Sequence, residues 1–498
     1  MFRWASVLLG LVLLASTSLS VFADDASVAA VPAGPDGWTA GSDASGSPPL
    51  RGAFDLGASV SISPGDPLVL NGWVGNLDDP SAISDVSVFD GDLSHPLGQA
   101  KLGLSRPDVV SALNAPSLAT SGFSFTLDTW SLSLGQHTLI AAAHTTNNGT
   151  WTRPLGLNLV PAAPRPAGQF VYGTHLAALN HASLAQQDGF GLMWGYVPWE
   201  QVEPSRGSFL FKSKDRWGNP VANPLTNVLN AASAAGMKVI LRLDEVPGWA
   251  GGSPAQLNPS DLENYVYEAV HYGHGTIAYV EVFNEPNLPY EWGGSPDPTS
   301  YARLLQAAYR GVKRADPSVQ VISAAVAQKT GGLGGSMEDV DFLNGMYRAG
   351  AAGAFDLLGM HAYLGNFAPE TNPGTCTPMC FRDIERFRAV MQQNGDGNKQ
   401  AFITEIGALE QTSNDLGGFT WMELPSATRA DYLLRALEMA NANYRWVAGA
   451  MVFNFDYATV PWNPPTAEKY WFSLLDQWGR ERPALRAIRN ARATGALS

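Results

Sequence analysis

From residue 170 onward the chain repeats one pattern. A short apolar run is followed by a stretch whose apolar residues recur at helical spacing. The runs Phe170-Val171-Tyr172-Gly173, Leu192-Met193-Trp194-Gly195, Lys238-Val239-Ile240-Leu241-Arg242-Leu243, 277–283, Val319-Gln320-Val321-Ile322-Ser323, Asp356-Leu357-Leu358-Gly359-Met360, Ala401-Phe402-Ile403-Thr404 and Gly449-Ala450-Met451-Val452-Phe453 read as eight strands. Between strands two and three, Asn223-Pro224 offers an N-cap and an N1 proline to a helix with Leu225, Val228, Leu229 and Ala232 on one face. After strand four, Tyr301, Leu304, Leu305 and Ala308 line a helix that stops at Asp316-Pro317. Eight strand-helix units over about 330 residues fit an α/β fold of the (β/α)8 barrel type, expected over 169–498. An open doubly wound sheet calls for a glycine-rich phosphate turn after its first strand, and Gly173-Thr174-His175 is not one.

At 498 residues and 45% hydrophobic, the chain can fill two cores. Over 49–162 the pattern changes to short period-two segments, such as Val60-Ser61-Ile62-Ser63 and Phe123-Ser124-Phe125-Thr126-Leu127, which predict an all-β sandwich. Asn71-Gly72-Trp73, Arg106-Pro107-Asp108-Val109, Ser121-Gly122-Phe123 and Leu134-Gly135-Gln136-His137-Thr138-Leu139 resemble bacterial immunoglobulin-like modules of secreted proteins. No aromatic strip is evident on these strands, so a spacer role is expected rather than carbohydrate binding.

Residues 1–23 read as a secretory signal peptide: Arg3, an apolar stretch too short for a membrane span, and a small residue, Ala23, before Asp24. A flexible leader over 24–48 and a proline-rich linker over 163–168 complete the expected organisation. The mature chain is expected to be secreted, monomeric and without a membrane span. Cys376 and Cys380, the only cysteines, are expected to form a local disulfide on the strand-six loop, because two thiols four apart lack the second ligand pair of a metal site. No metal or cofactor is expected. A net charge of −14 with only 15% charged residues speaks against a nucleic-acid partner.

Strand four ends in Asn284-Glu285-Pro286-Asn287 and strand seven in Glu405-Ile406-Gly407. Two glutamates at the C-terminal ends of barrel strands can clamp a glycosidic bond from both sides, one protonated to assist the leaving oxygen and one ionised to attack the anomeric carbon. With His361-Ala362-Tyr363 after strand six and Trp199-Glu200-Gln201-Val202-Glu203-Pro204-Ser205-Arg206-Gly207 after strand two, the chain resembles clan A glycoside hydrolases, particularly around families 39 and 5, over most of 170–490. The resemblance implies Glu285 as acid/base and Glu405 as nucleophile of a retaining enzyme acting on a β-linked polysaccharide or oligosaccharide. It further implies substrate contacts from Asn284 and His361, and a Tyr363 hydroxyl that holds Glu405. Aromatics gather behind the strand ends at Tyr196, Trp199, Trp249, Tyr290, Trp292, Trp462 and Trp471; about half are expected to offer stacking surfaces to sugar rings, Trp292, Trp462 and Trp249 foremost.

Asp244 and Glu245 read as a polar subsite or as ion-pair partners of Arg242, Glu203 as a local cap, and Glu410 as a loop residue. Two departures from the family pattern stand out. Met193-Trp194-Gly195 occupies the strand-two segment where many members carry an arginine that steadies the nucleophile, leaving Arg242 as a substitute. Phe453 and Phe455 stand where strand eight usually presents a tryptophan. The competing readings are a catalytically idle carbohydrate-binding or surface-matrix protein on the same scaffold, and a transglycosylase.

Overall fold

The computed structural model describes residues 38–44, 50–77, 82–146, 149–163, 169–218 and 221–497. The expected signal peptide and linker positions 164–168 lie outside the described residues. The N-terminal part forms two sheets. One is built on the long hairpin Gly135–Thr145 and Thr150–Leu159, extended by Ile83–Asp90 and Pro96–Gln99 on one side and by Thr39–Ala40 and Ser59–Ile62 on the other. The second runs Arg51–Phe54, Leu68–Gly75, Gly122–Leu127, Lys101–Leu104. Alternate residues of both sheets meet in one core, with Val86, Val88, Leu139 and Leu157 facing Leu70, Phe54 and Phe123, as period-two patterning requires. Within the expected leader, Trp38 is buried in this core and Thr39–Ala40 pairs with the strand carrying Trp151, while 24–37 and 45–48 lie outside the described residues.

The sandwich docks directly on the barrel. Trp130 donates its indole N–H to Glu385 Oε1 at 3.0 Å, Asn372 Nδ2 lies 2.5 Å from Asp128 Oδ2, and Trp130 packs edge-on against Tyr444.

The rest is a closed, all-parallel barrel of eight strands: β1 Val171–Leu176, β2 Leu192–Gly195, β3 Lys238–Arg242, β4 Ile277–Val282, β5 Gln320–Ser323, β6 Leu357–Tyr363, β7 Gln400–Gly407 and β8 Val447–Val452. Its principal outer helices are α1 Ala182–Gln187, α2 Pro224–Ala235, α3 Pro259–Tyr272, α4 Pro298–Ala315, α5 Asp339–Arg348, α6 Ile384–Gln393, α7 Ser426–Ala442 and α8 Pro483–Thr494. The caps read from sequence are present. Asn223 Oδ1 accepts from Thr226 N at 3.0 Å to start α2, and Gly236, at φ 70°, ends it in the left-handed conformation that favours glycine. Tyr301, Leu304, Leu305 and Ala308 of α4 are buried, each larger apolar side chain contributing about 1.5–3 kcal/mol.

Strand alternation divides the barrel residues into two sets. On β4, Val280 and Val282 pack outward under the helices, while Tyr279 joins an inner layer with Ile240, Ile322, Leu357, Phe402 and Met451. The same alternation carries Glu281 inward. Among the described residues no helix is long and apolar enough to cross a membrane.

Candidate active site

Glu285 and Glu405 meet at the C-terminal rim of the barrel on either side of one imidazole. His361 Nδ1 donates to Glu285 Oε1 at 2.7 Å, and His361 Nε2 lies 3.8 Å from Glu405 Oε2. The backbone aims Glu285. Phe283 (φ 71°) and Glu285 (φ 37°) both take left-handed conformations, a strain of about 1–3 kcal/mol each, and Glu285 N is tied to Ala325 O at 3.0 Å. On the other side, the β6–β7 register shifts between Met360 and His361, so that His361 pairs with Glu405 and Tyr363 with Gly407. Strand β6 therefore extends through Tyr363, beyond the expected end at Met360, and β7 carries Glu405 within its length.

Each oxygen of Glu405 has its own donor. Arg242 Nη1 reaches Oε1 at 3.0 Å and the Tyr363 hydroxyl reaches Oε2 at 2.5 Å. Arg242 comes from β3, and its guanidinium lies 4.8 Å above the ring of Trp194, the β2 residue in the segment where a family arginine was expected. It also binds Asp244 Oδ1 at 3.0 Å and Asn284 Oδ1 at 3.1 Å. Asn284 in turn donates to Glu291 Oε1 at 3.2 Å, so the side-chain amide is fixed at both ends.

Electrostatics separate the groups. Burial alone would push the Glu405 carboxyl up, but the charges of His361 and Arg242 and the Tyr363 hydrogen bond outweigh it and hold Glu405 at about 2. Burial opposes the His361 cation as well, yet Glu405 and the hydrogen bond to Glu285 raise it to about 9. His175, on β1, is the neutral neighbour. Burial takes it down to about 4, and its Nε2–H donates to Thr404 O at 2.9 Å. Glu281, only 1% exposed and inside the barrel, is pushed up by burial to about 7.

The remaining candidates divide between the site and the scaffold. Trp462 is 63% exposed and stands edge-on against Tyr457, which packs on Phe453. Trp292 is corrected: at 2% exposure it is sealed into the core against Tyr301 and offers no face to a sugar. Tyr290, two residues earlier in the same single-turn helix Pro289–Trp292, is 77% exposed, and its hydroxyl feels the carboxylates of Glu285 and Glu291. Trp249 is likewise engaged in the scaffold. Its indole donates to Glu203 O at 2.9 Å, Trp199 packs on it edge-on, and Arg206 lies over its ring.

Of the competing carboxyls, Asp244 pairs with Arg242, while Glu245 accepts from the Tyr196 hydroxyl. Glu203 accepts from Trp199 Nε1 and Gly207 N, stapling its own turn, and Glu410 pairs with Arg429 and Arg482. Cys376 and Cys380 are joined in a disulfide. Sequence reading grouped Tyr290 with the aromatics behind the strand ends but ranked Trp292 above it, and it missed His175 and Glu281. The signal for Glu281 was present, as a charged residue at an inward position of an otherwise apolar strand.

A closed (β/α)8 barrel with two glutamates facing each other at its C-terminal rim defines a glycoside hydrolase of clan A. A family model described as cellulase (glycosyl hydrolase family 5) matches residues 195–448, and the chain belongs to that family. It is 24% identical over 303 residues to an endo-1,4-beta-xylanase of Agaricus bisporus, covering 57% of this chain and 81% of the relative. Among solved structures, a family 39 glycoside hydrolase of Bacteroides cellulosilyticus WH2 superposes with a TM-score of 0.48 at 18% identity, over 88% of this chain and 82% of the other. Xylanase 10B of Thermotoga maritima does so with 0.46 at 16%, over 66% and 96%.

Proposed function

We propose that the protein is a secreted, monomeric, retaining β-glycosidase, with Glu285 as acid/base and Glu405 as nucleophile. The observation that carries this reading is the single imidazole between the two carboxylates. His361 reaches Glu285 Oε1 at 2.7 Å and Glu405 Oε2 at 3.8 Å, which brings both carboxyls to one histidine on the same rim; the retaining reading requires them to stand ~5–5.5 Å apart across the sugar. Glu405 is ionised and held at both oxygens, ready to attack the anomeric carbon. The C1–O bond breaks as the Glu405–C1 ester forms, and Glu285 delivers its proton to the departing oxygen. Water then attacks C1, gives its proton to Glu285 and releases Glu405.

Asn284 bonds to Arg242, which holds Glu405, and to Glu291, and this support favours it as the residue that bonds the hydroxyl next to the anomeric carbon. Trp462 and Tyr290 offer exposed rings for stacking. The substrate is a neutral β-linked polysaccharide or oligosaccharide, and xylan and β-glucan backbones head the panel because of the family model and the xylanase relative. The acidic chain disfavours anionic polymers, and the bonded cysteines agree with export to an oxidising compartment. We read the N-terminal sandwich as an immunoglobulin-like module.

Release of reducing ends from xylan, β-glucan and mannan tests the reading. The parent protein should cleave at least one, and Glu285→Ala and Glu405→Ala should each lose more than about 10³-fold. A parent that binds a glycan but cleaves none, with binding unchanged in Glu405→Ala, overturns it.

A further inference from the structure

Tyr363 touches Glu405 and is held from behind by a buried amide. Its hydroxyl donates to Glu405 Oε2 at 2.5 Å, and its backbone N–H donates to Gln328 Oε1 at 2.8 Å. Gln328, buried in the segment after β5, uses its other arm to donate from Nε2 to Cys380 O at 3.2 Å. One side-chain amide thus ties the nucleophile's tyrosine to the disulfide loop. That loop is fixed in turn. Lys329 Nζ, next to Gln328, reaches Pro373 O at 3.0 Å and Asp383 Oδ1 at 2.8 Å, and Cys380 N donates to Asp383 Oδ2 at 3.0 Å.

On its far side the loop is held by the N-terminal sandwich. Asp128 takes Asn372 Nδ2 on one oxygen and the fully buried Arg382 on the other, and Arg382 also binds Glu385 at 2.9 Å. Trp130 closes the cluster through its indole bond to Glu385. Direct hydrogen bonds, broken only by the covalent loop itself, therefore lead from a sandwich residue to the tyrosine that grips Glu405.

We infer that Gln328 is a positioning residue for Glu405 acting through Tyr363, and that the docked sandwich, through Asp128 and the disulfide loop, is part of the same brace. The inference rests on reading Glu405 as the nucleophile. The physical basis is that a hydroxyl can hold a carboxylate oxygen at 2.5 Å only if the backbone behind it does not drift, and Gln328 fixes that backbone at the last residue of β6. Spatial continuity alone does not establish coupling, so the test measures it.

The variants are Gln328→Met, which keeps the volume and removes both hydrogen bonds, and Asp128→Ala on the sandwich. Three readouts apply: thermal unfolding, kcat and KM on the best substrate of the glycan panel, and the Tyr363 ring-carbon (Cζ) NMR resonance in the resting protein. Gln328→Met should lower kcat by about tenfold with KM within about twofold, since an interaction used in the transition state is lost and ground-state binding is not. Asp128→Ala should lower kcat about threefold, the double variant should fall short of the product of the two, and the Tyr363 resonance should move in both single variants.

If Gln328→Met does not fold, Asp128→Ala decides alone. Folded variants with an unmoved Tyr363 resonance and parental kcat overturn the inference, as does a double variant whose losses simply multiply. The resonance is read without turnover. Failure of the glycosidase reading therefore leaves it interpretable, and an unmoved resonance sinks the brace even if the enzyme reading stands.

Discussion

Replacing Arg242 probes the electrostatic design of the site. Its guanidinium lies 3.0 Å from Glu405 Oε1 and 3.0 Å from Asp244 Oδ1. Removing it alone strands Asp244 as a buried charge, a loss of about 3–5 kcal/mol that would confuse stability with function. The informative variant is Arg242→Met combined with Asp244→Asn, which removes both charges and keeps an apolar, polarizable side chain over the Trp194 ring.

An opposite charge at this range lowers a carboxyl pKa by about 1–3 units, in line with about 4 kcal/mol of attraction at ~4 Å in an effective dielectric near 20. Glu405, held at about 2 in the parent, should therefore move up toward ordinary carboxylate values in the double variant. In the proposed mechanism Glu405 attacks only when ionised, so activity should be lost as pH falls through its pKa, and that acid limb should rise by about 1–3 pH units. With the Asn284 amide also released, kcat/KM at neutral pH should fall about 10²-fold. The assay is a pH profile of kcat/KM on the best glycan of the panel, with thermal unfolding as the control for folding. A folded double variant whose acid limb coincides with the parent's refutes the reasoning.

Tyr363→Phe should lower kcat about 10–10²-fold with little change in KM and raise the acid limb in steady-state profiles, because one donor to Glu405 is lost. Trp292→Ala should unfold at least about 3 kcal/mol more easily in urea, whereas Trp462→Ala should unfold like the parent and raise KM several-fold; equal effects on both would contradict the burial difference. Stability should also depend on pH at both ends. Glu405 is depressed to about 2, so its contribution is full above the unfolded value near 4 and disappears as pH falls toward 2. His361 is raised to about 9, so its contribution is full below about 6.5 and disappears as pH rises toward 9. Urea midpoints measured across pH should fall in both windows by about 1–3 kcal/mol of stability, and Glu405→Gln should flatten the acid side. Gly359→Ala should fail to fold or lose several kcal/mol, since a Cβ there meets Ser323 O at 2.1 Å; a parental melting temperature would contradict this.

The strand-helix alternation and the Asn284-Glu285 and Glu405 strand ends were readable because burial on both faces and delivery to one rim leave a local signature. What escaped depended on a neighbour or on a bend. That Trp292 is sealed and Tyr290 exposed is set by which side of a one-turn helix faces the core, and aromatic content alone does not reveal that side. The longer β6 and the pairing of His361 with Glu405 follow from a register shift between two strands, which neither strand encodes alone. Arg242 could be suggested as the nucleophile's cation from the missing strand-two arginine. Its seat on Trp194 needed two strands side by side. Docking of the sandwich through Asp128 and Trp130 joins residues about 250 positions apart and left no pattern along the chain.

The stereochemistry of the first product tests the paired-glutamate account most directly. Proton NMR of a β-linked oligosaccharide hydrolysed by the parent, recorded before mutarotation, should show the β-anomer appearing first, as passage through a glycosyl ester on Glu405 requires. The α-anomer appearing first would mean that water attacks C1 directly, and it would contradict the role given to Glu405.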